Sequence, residues 1–361
     1  MLPEPARNFG KFVSSNMSMS QTDHDLPRLT VILPVRNEER FIRQTLTAIL
    51  LQEYPHDRLE IIVADGQSED RTAAIVSEIA KTDDRIKLLD NPGRSSSTAR
   101  ALGVEHATGD IITFVDGHTH IDNDQLLRHT AILMREKQVS VLSRPQFLDT
   151  PDNNLFQRAV SHARKNPLGH GLDSTIYSSQ EAYVDPSSSG ASYRREIFAE
   201  VGNYDTRFGA CEDVELNFRL AQAGYRSYTS PQLAVYYHPR DSFRKLFQQL
   251  CRYGVGRFRL ARKHPSSLSL GTLVPVVFVL VLLALAVSSF FSATALELLG
   301  WLVGLYVAVT ILFSVGIAAR HEGKMFPFLP PIFWTIHIAL GWGFLSELVR
   351  SVVGRGVSFK K

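Results

Sequence analysis

The chain has 361 residues, a formal net charge of +3 and two cysteines, and its mean hydropathy is −0.04. So weak a charge does not imply a nucleic-acid partner, and Cys211 and Cys251 make neither a disulfide framework nor a zinc site. The near-zero hydropathy averages two unlike parts: an ordinary soluble composition up to about His264 and a mostly apolar stretch from Leu268 onward.

Residues 1–26 are rich in Ser, Asn and Asp and lack the basic start and apolar core of a signal peptide, so they are expected to form a flexible tail. LTVILPV (Leu29 to Val35) predicts a strand, and the apolar spacing of Phe41, Ile42, Leu46, Ile49 and Leu50 predicts a helix, with Asn37 as its N-cap. LEIIVADG (Leu59 to Gly66) predicts a second strand. SEDRTAAIVSEIAK predicts a second helix capped by Ser68. RIKLLD is a third strand, SSSTARALGVEHA a third helix stopped at Gly109, and DIITFVD a fourth strand ending at Asp116. Repeated βα units of this length imply a parallel, doubly wound sheet with right-handed crossovers. Further on, a helix is expected from near Glu212 to Gly224, and LAVYYHPR gives a strand ending at His238.

Open α/β sheets bind ligands beyond the carboxyl ends of their strands. Asp65 and Asp116 both fall there, each followed by glycine. Asp116 and His118, two residues apart, could share one divalent cation. The plainer reading is that Asp116 caps a turn, His118 is solvated and Asp65 closes an Asx-turn. Neither strand-to-helix turn carries GxGxxG or GxxxxGK[ST], which argues against a dinucleotide dehydrogenase and a P-loop NTPase. A diphosphate without a glycine cradle needs a metal or basic residues. Glu212 and Asp213 open a helix. They either complement its dipole, or one of them is a general base.

VILPVRNEERFI, EIIVADGQSEDRT, ARALGVEHATGDIITFVDGH, GASYRREIFAEVGNYDTRFGACEDVELNFRLAQAGYR and YYHP, in this order, resemble the family 2 glycosyltransferases. These are inverting, nucleotide-sugar-dependent enzymes with the GT-A fold, a Rossmann-like, mostly parallel sheet. The resemblance covers about residues 27–264. It is closest to bacterial succinoglycan-type exopolysaccharide transferases, which similarly place a transferase domain before a short membrane region. It implies nucleotide contacts from Pro34, Arg36 and Glu38, uracil or ribose binding by Asp65, and a place for Arg100 near the base or diphosphate. Asp116 opens the family's D-x-D element and would reach the diphosphate through Mn2+ or Mg2+. Here the third position is His118, whose neutral nitrogen suits manganese better than magnesium. His238 matches a histidine that completes the metal or diphosphate site in some GT-A enzymes, although a strand-end histidine is more often structural. Asp213 matches the catalytic base, next to Glu212. Gln249, Arg252 and Tyr253 resemble the Q-x-x-R-W element of processive synthases with Tyr in place of Trp. That departure and the short membrane region favour single addition over polymerisation, and a membrane-surface charge is an equal reading for Arg252.

The mechanism so implied is a single inverting displacement. The metal neutralises the leaving diphosphate while Asp213 deprotonates the acceptor hydroxyl. Two alternatives remain: a polyprenyl-phosphate sugar synthase, which needs no strong base, and a non-catalytic nucleotide-binding membrane scaffold.

Eight basic residues stand against Asp241 between Arg240 and Lys263, interleaved with Phe243, Phe247, Tyr253 and Phe258. This predicts a juxtamembrane segment on an anionic leaflet. Leu270 to Phe291 and Leu298 to Ala319 are each long enough to span the hydrocarbon. A third segment, about Phe326 to Val349, is taken as a span too, and its His337 and Glu347 are candidate functional groups. A span there would put Arg350, Arg355, Lys360 and Lys361 outside, against the positive-inside tendency, and an interfacial or re-entrant segment would remove the conflict. The expected organisation is a tail (1–26), a GT-A domain (27–239), a basic interface segment (240–267) and a membrane region with two to three spans (268–361). The domain is expected on the cytoplasmic side of the inner membrane, acting on a polyprenyl-linked glycan.

Overall fold

The computed structural model describes residues 25–359 apart from 151, 171–175 and 178. Nearly all of the expected tail lies outside the described residues. Leu26 is already buried, tied down through its carbonyl by Arg58 at 2.5 Å.

The chain runs through β1 (Leu29–Val35), α1 (Ile42–Leu50), β2 (Leu59–Asp65), α2 (Thr72–Ala80), β3 (Ile86–Asp90), α3 (Ser96–His106) and β4 (Ile111–Phe114). There follow β5 (Thr119–His120), α4 (Leu126–Glu136), β6 (Val141–Ser143), β7 (Gln146–Phe147), α5 (Leu155–Lys165), β8 (Ala182–Val184) and β9 (Gly190–Arg194). Short α6 (Ile197–Val201), α7 (Glu212–Gln222), β10 (Ser227–Thr229) and β11 (Val235–Tyr237) complete the domain. Four long helices remain: α8 (Phe243–Lys263), α9 (Leu270–Ser288), α10 (Ala293–Arg320) and α11 (Leu329–Val352).

Eight strands form one sheet in the order β3-β2-β1-β4-β9-β6-β10-β8. The first four are parallel, as the βα repeats require. β9 is antiparallel to both neighbours and β8 to β10, so the sheet is mixed. Alternation along β1 builds a core on each face. Val31 and Leu33 pack with Ile42, Leu46 and Leu126, while Ile32 packs with Ala101, Ile197, Leu216 and Leu220. A small sheet, β5-β11-β7, leads from the domain to α8.

Two expected caps are replaced. Asn37 has a left-handed backbone (φ 56°), and α1 begins only at Ile42, with Phe41 in the cap position. Asn37 Oδ1 instead accepts from the Glu69 amide at 2.8 Å, and Ser68 Oγ accepts from the Asn37 amide at 2.9 Å. Both side chains tie two loops together, and α2 starts only at Thr72.

A third core joins the domain to the long helices. Phe156 and Ala159 of α5 pack with Leu246 and Leu250 of α8 and with Leu329, Phe333 and Ile336 of α11. α8 and α11 run side by side in the same direction, with Cys251 and Gly254 against Gly343 and Leu340, Arg259 against Glu347, and Arg262 against Ser351. The approach depends on paired glycines, because a Cβ at Gly254 would lie 2.2 Å from the Leu340 carbonyl oxygen and one at Gly343 2.2 Å from that of Cys251. Three helical stretches, 270–288, 293–320 and 323–352, are long and apolar enough to cross a membrane. α9 and α10 turn large apolar side chains outward, among them Leu280, Trp301, Leu305 and Leu312, and α11 is the most enclosed of the three.

Both flanks of α11 return to the transferase domain. Before it, Glu322 accepts from Arg158 of α5 at 3.0 Å, and His321 stacks on His162. After it, Phe359 packs on Phe208 and Arg262 bonds the Val357 carbonyl at 3.1 Å.

Candidate active site

The parallel register sets the carboxyl ends of β1, β2 and β4 side by side, with Val35 opposite Asp65 and Ile32 opposite Phe114. Asp116 follows β4 at this crevice. Arg100 Nη2 donates to its Oδ1 at 2.7 Å and the Tyr237 hydroxyl to its Oδ2 at 3.1 Å. Burial opposes the charge, but Arg100, then His118 and the Tyr237 hydrogen bond, hold the carboxyl below its usual range.

The same guanidinium reaches α7. Arg100 Nε lies 3.4 Å from Glu212 Oε1, and the group stacks over Phe114 at 5.0 Å. One buried cation therefore joins the strand-end carboxylate to the first turn of α7. Cys211, in a left-handed conformation (φ 62°), turns the chain sharply into that helix. A left-handed non-glycine residue is costly enough to mark a position the surroundings impose.

The two acids of that turn differ in environment. Glu212 is buried, and burial together with the neighbouring Asp213 charge pushes its pKa up, with Arg100 opposing. Asp213 is half-buried. Among the described residues its Oδ1 accepts only from the adjacent Val214 amide, at 2.9 Å, which leaves the second oxygen for a substrate hydroxyl. Of the pair, Asp213 is the one disposed to act as a base.

His118 Nδ1 lies 2.9 Å from Glu38 Oε1, and its ring meets Tyr237 edge-on at 5.9 Å. Burial works against protonation, but the Glu38 hydrogen bond and the Glu38 and Asp116 charges raise its pKa above the usual value. Gly117 permits this closeness, since a Cβ there would come within 2.9 Å of Val35 Cγ1 and 3.1 Å of Glu38 Cγ.

His238 is held elsewhere. Its Nδ1 bonds the Thr150 hydroxyl at 2.9 Å, Asp152 lies 3.4 Å away, and the ring stacks on Phe41. Its neighbour Tyr237 reaches Asp116 instead, because adjacent residues leaving β11 point to opposite sides. Among the described residues, three metal-ligating side chains converge only at His56, Asp83 and Asp84. That group precedes β2 and β3, at the opposite end of the sheet. The expected set of Asp116, His118 and His238 is thus not brought together as three ligands. Asp116 and the Nε2 of His118 still suit a cation that takes its remaining ligands from a diphosphate, as magnesium and manganese do beside one or two protein groups.

Asp65 is buried and closes a turn, accepting from the Ser68 amide at 3.0 Å and hydroxyl at 2.5 Å. Pro34 pairs with Ala64 near the end of β1. Arg36 is exposed at the rim, 3.8 Å from Glu69. On α8, Gln249 donates to the Tyr253 hydroxyl at 3.3 Å, and Arg252 is exposed on the neighbouring stripe. The Tyr253 backbone carbonyl meets Cys211 Sγ at 3.8 Å, which brings α8 to the turn carrying Asp213.

Sequence reasoning missed Tyr237 and Arg144. Arg144 is 3% exposed and donates to the Phe114 carbonyl at 2.6 Å and the Thr113 hydroxyl at 2.5 Å. Its charge helps keep Asp116 ionised. The one available signal was a lone arginine directly after the short run Val141–Leu142–Ser143.

Residues 30–202 match the family model for glycosyl transferase family 2. The chain is 28% identical to the succinoglycan biosynthesis protein ExoA of Rhizobium meliloti, over 88% of this chain and 94% of that protein. It is 23% identical to a dolichyl N-acetyl-alpha-D-glucosaminyl phosphate 3-beta-D-2,3-diacetamido-2,3-dideoxy-beta-D-glucuronosyltransferase of Methanococcus voltae, over 89% of this chain and 97% of that one. Among solved structures, the mannosyltransferase PcManGT of Pyrobaculum calidifontis, in complex with GDP-Man and Mn2+, shares the fold. The TM-score is 0.59 at 20% identity, covering 89% of this chain and 88% of that one. The fold is accordingly GT-A, and the chain is a glycosyltransferase whose residues 30–202 form its glycosyl transferase family 2 domain.

Proposed function

We propose that this enzyme transfers a sugar, with inversion, from a nucleotide diphosphate sugar to a hydroxyl of a lipid-linked glycan at the cytoplasmic membrane surface. The observation that carries this reading is the Arg100 bridge, which holds the donor-side Asp116 and the α7 turn bearing Asp213 in one crevice. A bound Mn2+ or Mg2+ would supply neutralisation of the leaving diphosphate, with Asp116 and the Nε2 of His118 as its protein ligands. Arg100 orients Asp116 and keeps it ionised. Asp213 takes the proton of the acceptor hydroxyl as that oxygen attacks the anomeric carbon from the face opposite the leaving group. Asp65, Pro34, Arg36 and Glu38 border the nucleotide end of the crevice.

In this reading α9 and α10 cross the membrane as a hairpin, while α11 stays on the domain's side with α8. The return of both α11 flanks to the domain supports it. So does charge: Arg350 and Arg355 then lie on the same side as the basic α8, which removes the conflict with the positive-inside tendency. The likeness to an exopolysaccharide transferase and to an enzyme named for a dolichyl-linked acceptor supports a lipid-linked substrate.

The test is nucleotide release by the purified full chain in detergent, with UDP- and GDP-sugars, with manganese, magnesium or chelator, and with or without membrane lipid extract. Metal-dependent release from one donor, stimulated by lipid, is expected. Lipid-stimulated release untouched by Asp213→Asn would favour the polyprenyl-phosphate sugar synthase.

A further inference from the structure

We propose that a cavity against the first half of α8 holds the phosphate groups of the acceptor lipid, an assignment that rests on the lipid-linked reading above. The cavity measures about 520 Å³ and is lined by Arg240, Lys245, Phe247, Gln248, Cys251 and Arg252. Lys245, Gln248 and Arg252 share one face at spacings of three and four. Arg240 reaches in from the loop before the helix.

The wall thus contains three cations and no carboxylate. Asp241, outside it, pairs with Lys245 at 2.8 Å. Among the described residues, neither Arg240 nor Arg252 has a hydrogen bond or ion pair to another side chain. Unneutralised guanidiniums around one concavity repel each other, and an anion relieves that repulsion. Guanidinium forks also match the oxygen geometry of phosphates. Phe243 and Phe247, each 37% exposed, lie on the same half of the helix and suit an attached apolar chain. Phosphates with a hydrocarbon tail satisfy both features, whereas a free inorganic ion would use only the first.

The position fits the reaction. Arg240 lies three residues beyond Tyr237, whose hydroxyl reaches Asp116, so the cavity borders the donor crevice. The adjacent stripe of α8 carries Tyr253, whose carbonyl meets Cys211 at the turn that bears Asp213. A lipid diphosphate in the cavity would therefore leave its attached sugar beside the base. A bulk anionic headgroup offers the same phosphate chemistry, so the test must separate the two sources.

Cys251 lines the cavity and provides the readout. Cys211 is buried whereas Cys251 is only half-buried and lines the cavity, so maleimide reports Cys251. Farnesyl diphosphate should slow Cys251 alkylation of the full-length protein saturably, and farnesol should not. Arg252→Ala, an exposed change that leaves the fold intact, should raise the half-protecting concentration about tenfold, and Arg240→Ala/Arg252→Ala further. Arg244→Ala, an exposed cation outside the cavity, should stay within about twofold of wild type. Equal protection by farnesol, equal protection by phosphatidylglycerol vesicles lacking farnesyl diphosphate, or no effect of Arg252→Ala would each overturn the assignment. If lipid extract still stimulates nucleotide release when farnesyl diphosphate gives no protection, only the cavity assignment fails. If lipid never stimulates release, the lipid-linked reading fails instead.

Discussion

Replacing Arg100 by methionine keeps the bulk of the side chain and removes the one cation shared by Asp116 and Glu212. The guanidinium is 12% exposed, with carboxylate oxygens at 2.7 and 3.4 Å. At an effective dielectric near 20, these separations correspond to roughly 6 and 5 kcal/mol of attraction before desolvation is subtracted. Breaking a buried pair from one side costs about 3–5 kcal/mol, because the stranded charge has already lost its water. Here two carboxylates are stranded together, and Glu212, already pushed up by burial and by Asp213, should take up a proton. For a domain of this size such a loss lowers the thermal midpoint by roughly 6–20 °C. The assay is thermal unfolding by circular dichroism, with Arg100→Met, Glu212→Gln and the double variant compared as a cycle. The double variant should recover about 1–2 kcal/mol, since neutral glutamine tolerates the missing cation. Strict additivity, or an Arg100→Met loss below about 1 kcal/mol, would refute the bridge as the element that organises the crevice.

Asp213→Asn should cut transfer by about 10²- to 10⁴-fold while nucleotide affinity is kept, measured by product formation and by calorimetric titration; loss of nucleotide binding would mean the wrong role. Glu215, fully buried, accepts from Arg219, Lys263 and His264 and so fastens α7 to the end of α8. Burial alone would raise its pKa, but those partners reverse the shift and hold it below 4.5. The depressed native pKa means that its stabilisation is present above about 4.5 and fades as pH falls through the lower native value. Glu215→Gln should therefore lower the thermal midpoint near pH 7 and flatten its decline on acidification; an unchanged slope would count against the latch. Gly343→Val should separate α11 from α8, seen as faster proteolysis of the loop between α10 and α11, and an unaltered digestion pattern would contradict the contact.

The βα half of the domain was legible because its strands are four to seven residues long, enough for alternation to show, and because strand ends position ligand groups by topology alone. That reasoning located Asp65, Asp116 and His118, whereas Glu212 and Asp213 were legible as acids in the first turn of a helix. Between residues 121 and 189 the strands are two or three residues long, too short for any period. Arg144 and Tyr237 converge on Asp116 from that opaque region and from β11, which tertiary pairing alone can reveal. Asn37 and Ser68 failed as caps for a related reason. Side chains that cap helices can also bridge loops, and here each had a partner about thirty residues away.

The last helix makes the same point at a larger scale. Hydropathy counts one segment at a time, so 323–352 scores as a span beside α9 and α10. Burial asks what surrounds the segment. α9 and α10 expose their apolar faces, whereas α11 has a protein partner along most of its length. Of its two candidate ionisable groups, Glu347 is consumed by Arg259 at 2.8 Å and by Arg350, and His337 bonds Tyr306 and the Leu168 carbonyl. Those pairings are with protein rather than with a transported ion or proton. They argue that α11 works as the floor on which α8 is mounted. Through the Cys251–Gly343 contact, the position of that floor sets how α8 presents Tyr253 to the Cys211 turn and Arg252 to the cavity.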